Sequence, residues 1–264
     1  MQPKLEVFLV PHDINYLTRE QAWAVVRKIR ETLNDLPEDL KEKIFSVVVF
    51  GSLIRSDFIP GISDIDLLIV FKDETKSNEI ETVIGRILDV AKDYYGCSNY
   101  EKVVDIVWIY ENEIPFKGSR KKSIFKFLSI YAFDFVKFSK VIYGTDFIQE
   151  IEVPNPRDLI KDRVKRLYAL LEQHKQQRNH YMIRILAGEA IRLAQITFGE
   201  LTIDKRKVFN NFMKYVPKYP QKNFAKVVWD EYLRPPNKKK IDKDYIDKCI
   251  EFIKATLSFI SCHV

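Results

Sequence analysis

Cysteine is scarce in this chain: 3 residues among 264, at positions 97, 249 and 262, with no C-x-x-C pair. An odd, scattered set excludes a disulfide scaffold and a clustered zinc site, and suits a reducing compartment, so a cytoplasmic location is the expectation. Long apolar runs are missing as well. Nowhere do about eighteen apolar residues follow one another, and the apolar patch within Met1–Val10 is too short for a signal-peptide core, so neither a membrane span nor export is expected. A strong excess of one charge sign is also absent. Lys and Arg number 43 against 37 acids, giving +6 and a pI near 9.0. That balance favours anionic partners such as nucleotides without requiring a nucleic acid. Glycine is low, at 8 residues, while charged residues reach 30%, a composition in keeping with thermal tolerance. No internal repeat is evident.

What the chain does have is ample apolar content, 46% over 264 residues, enough for two cores rather than one. Its most informative stretch is Val47 to Phe71, VVVFGSLIRSDFIPGISDIDLLIVF. The run Phe45 to Phe50 is too short for a buried helix and rich in Val, which predicts a buried strand ending at Gly51. Glycine lets a ligand approach the backbone, and Ser52 is expected to cap a short helix at Leu53-Ile54-Arg55, leaving N–H groups that suit a phosphate. Asp64 and Asp66 then open a second apolar run. At alternate positions of a strand their carboxylates share one face, where mutual repulsion raises a pKa unless a cation lies between them; oxygen ligands of this kind suit Mg²⁺. The third acid is expected to be Asp105, set among apolar residues in Lys102 to Ile109, with Glu101 as the alternative. Arg55 could add to a phosphate grip or point to solvent. A second acid-x-acid pair, Asp242 and Asp244, has neither a preceding strand nor a Gly-Ser turn, and reads as a solvated helix start.

In order and spacing, Gly51, Ser52, Asp64, Asp66 and Asp105 resemble the nucleotidyltransferase superfamily of DNA polymerase β. The wording GSLIRS followed by Ser63-Asp64-Ile65-Asp66-Leu67 is similar to its minimal and aminoglycoside-modifying (kanamycin-type) branch, and Val141-Ile142-Tyr143-Gly144-Thr145-Asp146 resembles the segment closing that catalytic domain. The resemblance covers about residues 20 to 150. It implies Mg²⁺ or Mn²⁺ held by Asp64, Asp66 and Asp105, and a nucleotide held by Gly51, Ser52, Arg55 and Ser63. It also implies transfer of an NMP from an NTP, expected to be ATP, to a hydroxyl acceptor with release of pyrophosphate. Glu189 is a further candidate base near the acceptor, and a homodimer would follow the habit of related drug-modifying enzymes. The alternative is an antitoxin-like or RNA- or nucleotide-binding regulator using the same fold without efficient catalysis, with Arg120, Lys121, Lys122 and Lys238 to Lys240 on a nucleic-acid backbone. A template-directed polymerase is not expected, because the chain lacks room for its further modules.

The element pattern predicts an α+β protein. A capping box at Thr18 to Gln21 opens a helix to about Leu33 with Trp23 in the core, and an amphipathic stripe from Ser77 to Tyr95 predicts a helix between the second and third strands. A small mixed sheet with helices on one side is expected over residues 1–150. Ser119 is read as the cap of a further helix running through Ile124 to Tyr131. Pro154-Asn155-Pro156 marks a boundary, and helical periodicity over 159–177, 181–198, 204–215, 223–232 and 242–261 predicts a five-helix bundle over 151–264 that binds an acceptor or partner. This bundle resembles the helical domains of aminoglycoside nucleotidyltransferases and the HEPN domains. The Arg166 to His174 spacing does not fit the HEPN ribonuclease motif, and His174 and His180 are expected at a solvated helix junction.

Overall fold

The structure, a computed structural model, describes residues 17–60, 62–95, 103–118, 130–216, 221–234 and 242–264. Helix α1 (Arg19–Asn34) starts at the expected capping box: the Thr18 hydroxyl accepts the Gln21 N–H and the Gln21 side chain accepts the Thr18 N–H. Its stripe Ala22, Val25, Val26, Ile29 and Leu33 is buried, whereas Trp23 is half-buried at its edge. A single turn, α2 (Glu38–Lys41), leads into β1 (Ile44–Phe50). Then follow α3 (Ser52–Arg55), β2 (Ile65–Phe71), α4 (Ser77–Tyr95), β3 (Val104–Tyr110), α5 (Ala132–Lys137) and β4 (Ser139–Gly144).

The sheet is mixed, in the order β3-β2-β1-β4. Strand β1 runs antiparallel to β2 and β4, while β2 and β3 are parallel because the long helix α4 carries the chain back to the start of the sheet. One face packs Val47, Val49, Leu67 and Ile69 against α1 and α4. The expectation of helices on one side needs an addition. The opposite face, with Val48, Phe50, Leu68 and Val70, is covered by Ile114, by Phe135 of α5 and by Phe147, Ile148 and Ile151. Double coverage explains why β1 and β2 read as nearly unbroken apolar runs. The fourth strand was not anticipated as one; it lies at a sheet edge, is short, and buries only Ile142 among half-buried and exposed positions.

Beyond a short 3₁₀ turn at Pro156–Leu159, the chain is helical among the described residues: α6 (Ile160–Gln176), α7 (His180–Phe198), α8 (Lys205–Tyr215), α9 (Lys222–Tyr232) and α10 (Lys243–Ser261). Helix α7 is central, contributing Ile183, Leu186, Ala187, Ile191 and Ala194 to the bundle core. Gly188 is required there: a Cβ would lie 2.3 Å from the Tyr232 ring of α9. Asp242 caps α10 by accepting the Asp244 N–H, in keeping with its reading as a solvated helix start. His174 departs from expectation. It is buried at the end of α6 with its ring nitrogen 3.3 Å from Gln177 Oε1, because that last turn packs inward against the bundle. His180 is half-buried at the start of α7. Ser119 and positions 124–129 of the helix expected from Ile124 to Tyr131 lie outside the described residues, and Tyr131 stands at the cap of α5.

Candidate active site

The parallel register of β2 and β3 sets Asp66 directly beside Asp105. Asp64 stands at the entry to β2, and carboxylate oxygens of Asp64, Asp66 and Asp105 all lie within 4.8 Å of one another. Asp64 and Asp66 are half-buried and Asp105 is exposed, so the cluster opens to solvent at one end of the sheet. Burial, then repulsion from Asp66 and from Asp105, pushes the Asp64 carboxyl up to about 7, against the opposing pull of Lys205. Three convergent carboxylates that resist sharing their charge are a hard-oxygen donor set that fits a divalent cation such as Mg²⁺ or Mn²⁺. Glu101, the alternative third acid, lies outside the described residues, as do Arg120 to Lys122 and Lys238 to Lys240.

Strand β1 ends beside this cluster because Phe50 pairs with Asp66. Gly51 follows with φ +78°, and a Cβ built on it would lie 2.1 Å from Asp66 Oδ2. Glycine therefore serves two needs, a left-sided backbone angle and room for the acid. Ser52 is not the helix cap. Gly51 holds the cap position without a side-chain bond, and Ser52 is the buried first residue of α3, since the turn out of β1 is too tight to leave it outside the helix.

Arg55 neither faces solvent nor reaches toward the three acids as a free cation. Its buried guanidinium donates to Asp57 at 3.1 Å through Nε and to Asp134 of α5 through Nη1. Burial outweighs Arg55 and holds the Asp134 carboxyl up at about 6. Ser63, next to Asp64, accepts the Ile59 N–H at 3.0 Å and the Lys205 ammonium at 2.9 Å. Glu189 is also engaged rather than available as a base: it accepts from Tyr131 at 2.8 Å, Arg163 at 3.0 Å and Arg192 at 2.8 Å, and its pKa is lowered, the two guanidiniums overcoming burial.

Two residues at the site escaped sequence reasoning. Lys205, in the first turn of α8, is buried and places its ammonium beside Ser63 and Asp64; Asp57 is buried and accepts the Lys205 backbone N–H at 2.8 Å. The hint lay in Lys205-Arg206-Lys207 at a helix start, where acids rather than cations are favoured, so a cation there needs an acidic neighbour from elsewhere in the fold.

No curated protein sequence matches the chain. Residues 26–131 match the family described as nucleotidyltransferase domain. Among solved structures, the chain is similar to the spectinomycin adenyltransferase AAD(9) from Enterococcus faecialis, crystallised with ATP and spectinomycin, at 16% identity and a TM-score of 0.59, over 89% of this chain and 99% of that one. A similarity of that extent takes in the bundle as well as the sheet and shows a shared fold. Residues 26–131, which contain the three acids and the Gly51 turn, thus match a nucleotidyltransferase domain, in a chain that shares its overall fold with an adenyltransferase.

Proposed function

We propose that this nucleotidyltransferase moves an NMP from an NTP, with ATP as the donor, onto a hydroxyl acceptor in a reaction that depends on a divalent metal. The observation that carries the reading is the convergence of Asp64, Asp66 and Asp105 within 4.8 Å beside a glycine turn that no larger residue could occupy. Asp64 and Asp66 would hold the cation, with Asp105 completing the set. When bound, such an ion supplies charge neutralisation at the triphosphate, where anionic oxygens otherwise repel an incoming nucleophile.

The protein's own groups then divide the work. Asp105 is the most open of the three acids and is suited to orient the acceptor hydroxyl and take its proton as the oxygen attacks the α-phosphorus. Gly51 and the N–H groups that follow leave room for phosphate oxygens at the end of β1. Lys205 places a positive charge on the bundle side, next to Ser63, where the departing pyrophosphate gains negative charge. Burial, then Arg192, lowers the Lys205 pKa, while Asp57 and Asp64 favour its charged form. An anionic triphosphate tail would add to that support.

The acceptor would lie between the sheet and the bundle, where Lys205 of α8 meets Ser63 beside the acids. The test is transfer of label from α-labelled ATP in the presence of Mg²⁺ or Mn²⁺, against spectinomycin, other hydroxyl-bearing drugs, RNA and cell protein. Label should appear in one acceptor class with stoichiometric pyrophosphate, and Asp66→Asn should reduce transfer by about 100- to 1,000-fold, the range set by losing a group that stabilises transition-state charge. Metal-dependent ATP binding without pyrophosphate release from any acceptor would instead leave a nucleotide-binding regulator.

A further inference from the structure

The turn after α3 and the first turn of α8 are 148 residues apart in sequence and meet at one carboxylate. Asp57 is 2% exposed, with Oδ2 accepting the Lys205 backbone N–H at 2.8 Å and Oδ1 accepting Arg55 Nε–H at 3.1 Å. A carboxylate at that depth is costly unless matched by charge and hydrogen bonds, and here the guanidinium and the N-terminal end of an 11-residue helix supply both. Capping does not explain it. Helix α8 already has its own cap, Asp204, which accepts the Arg206 N–H at 2.9 Å. The added bond to Asp57 instead fixes a residue whose side chain extends toward the acids: Lys205 Nζ reaches Ser63 Oγ at 2.9 Å, adjacent to Asp64. Arg55 extends the same arrangement to Asp134, so the loop after α3, helix α5 and helix α8 share one buried polar strut.

We infer that Asp57 is a positioning residue that aims Lys205 at the polyphosphate tail of the bound nucleotide, an inference that rests on the reading of this site as an NTP site. It acts through Lys205 and touches no reacting atom itself. Without Asp57, α8 keeps its cap and its packing, but the Lys205 backbone loses its anchor to the catalytic loop and the ammonium is free to turn away from the phosphates.

The experiment is calorimetric titration of α,β-methylene ATP with Mg²⁺, and separately of AMP, into the full chain and its Lys205→Ala, Asp57→Ala and doubly substituted variants. A charge-assisted hydrogen bond accounts for roughly 10- to 100-fold in affinity. Lys205→Ala should weaken analogue binding by about that factor and Asp57→Ala by about 10-fold, with AMP affinity unchanged in both. The double variant should be no more than about twofold weaker than Lys205→Ala, since two residues acting as one unit are not additive. Wild-type analogue affinity in Asp57→Ala, independent penalties that multiply in the double variant, or a parallel loss of AMP binding would overturn the inference. Should Asp57→Ala not fold, Asp57→Asn retains one acceptor oxygen; loss confined to the analogue supports the role, and no loss, or an equal loss for AMP, overturns it. A wild-type protein that binds no analogue would remove the NTP reading itself, and the positioning role with it.

Discussion

At the scale of single residues, Gly51 is where backbone and chemistry constrain each other most tightly. Its angle and the 2.1 Å that would separate an added Cβ from Asp66 Oδ2 mean that Gly51→Ala must displace either the turn or the acid. The backbone strain alone costs about 1–3 kcal/mol. The expected outcome is a melting temperature lowered by roughly 2–12 °C, at 2–4 °C per kcal/mol for a chain of this size, together with loss of metal binding by calorimetry. A variant with unchanged stability and metal affinity would show that the loop moves freely. Asp64 and Asp66 were legible in sequence because their pattern is local: a strand, a turn and a second strand within one short stretch. Arg55, Asp57 and Lys205 were not, since their partners lie on α5, α8 and the loop after α3, up to 148 residues away, and only the packed fold brings them together. Ser52 was misassigned by one position, because a serine after a strand-ending glycine reads as a cap whether or not the turn tightens.

At the scale of elements, periodicity carried most of the information. Helices α4 and α6 to α10 begin and end within a residue or so of where their apolar stripes and breakers place them, since each buries a single continuous face. Strand β4 and helix α5 were harder: both are short, α5 packs Phe135 on the second face of the sheet, and β4 divides its side chains between the faces, Ile142 and Tyr143 on the first and Val141 on the second, an arrangement that follows from tertiary contacts and not from local pattern. The buried group that joins α6 and α7 makes its own prediction. Glu189 neutralises Arg163 and Arg192, with its side chain only 13% exposed. Glu189→Gln keeps the shape but removes the carboxylate that pairs with both buried guanidiniums, and breaking a buried pair of this kind costs about 3–5 kcal/mol. Urea unfolding should show the midpoint falling accordingly with an unchanged slope. A loss below about 1 kcal/mol would mean that the pair is solvated and that Glu189 is free for another role.

For the whole molecule, the acidic cluster ties stability to pH and metal. In the folded protein the Asp64 carboxyl is pushed up to about 7 from its ordinary 3.8, so between those values the folded state holds the proton more tightly than the unfolded one. Stability from this group is therefore greatest at low pH and falls as pH rises through about 7. Asp134, held up at about 6, contributes the same sign over the lower part of that range. Differential scanning calorimetry without divalent metal should record a declining contribution to the melting temperature from pH 5 to 8 that Asp64→Asn reduces. Saturating Mg²⁺ or Mn²⁺ should diminish the decline too, because an ion bound only to the native state favours the ionised carboxylates. A pH profile identical in wild type and Asp64→Asn would mean that Asp64 ionises as an ordinary exposed acid.

The most direct measurement of the central claim is an anomalous-diffraction map of crystals grown with Mn²⁺ and α,β-methylene ATP. The account predicts a manganese peak at coordination distance from carboxylate oxygens of Asp64 and Asp66, with the analogue's phosphates running past Gly51 toward Lys205. Manganese bound elsewhere, or nucleotide bound with these carboxylates untouched, would contradict it.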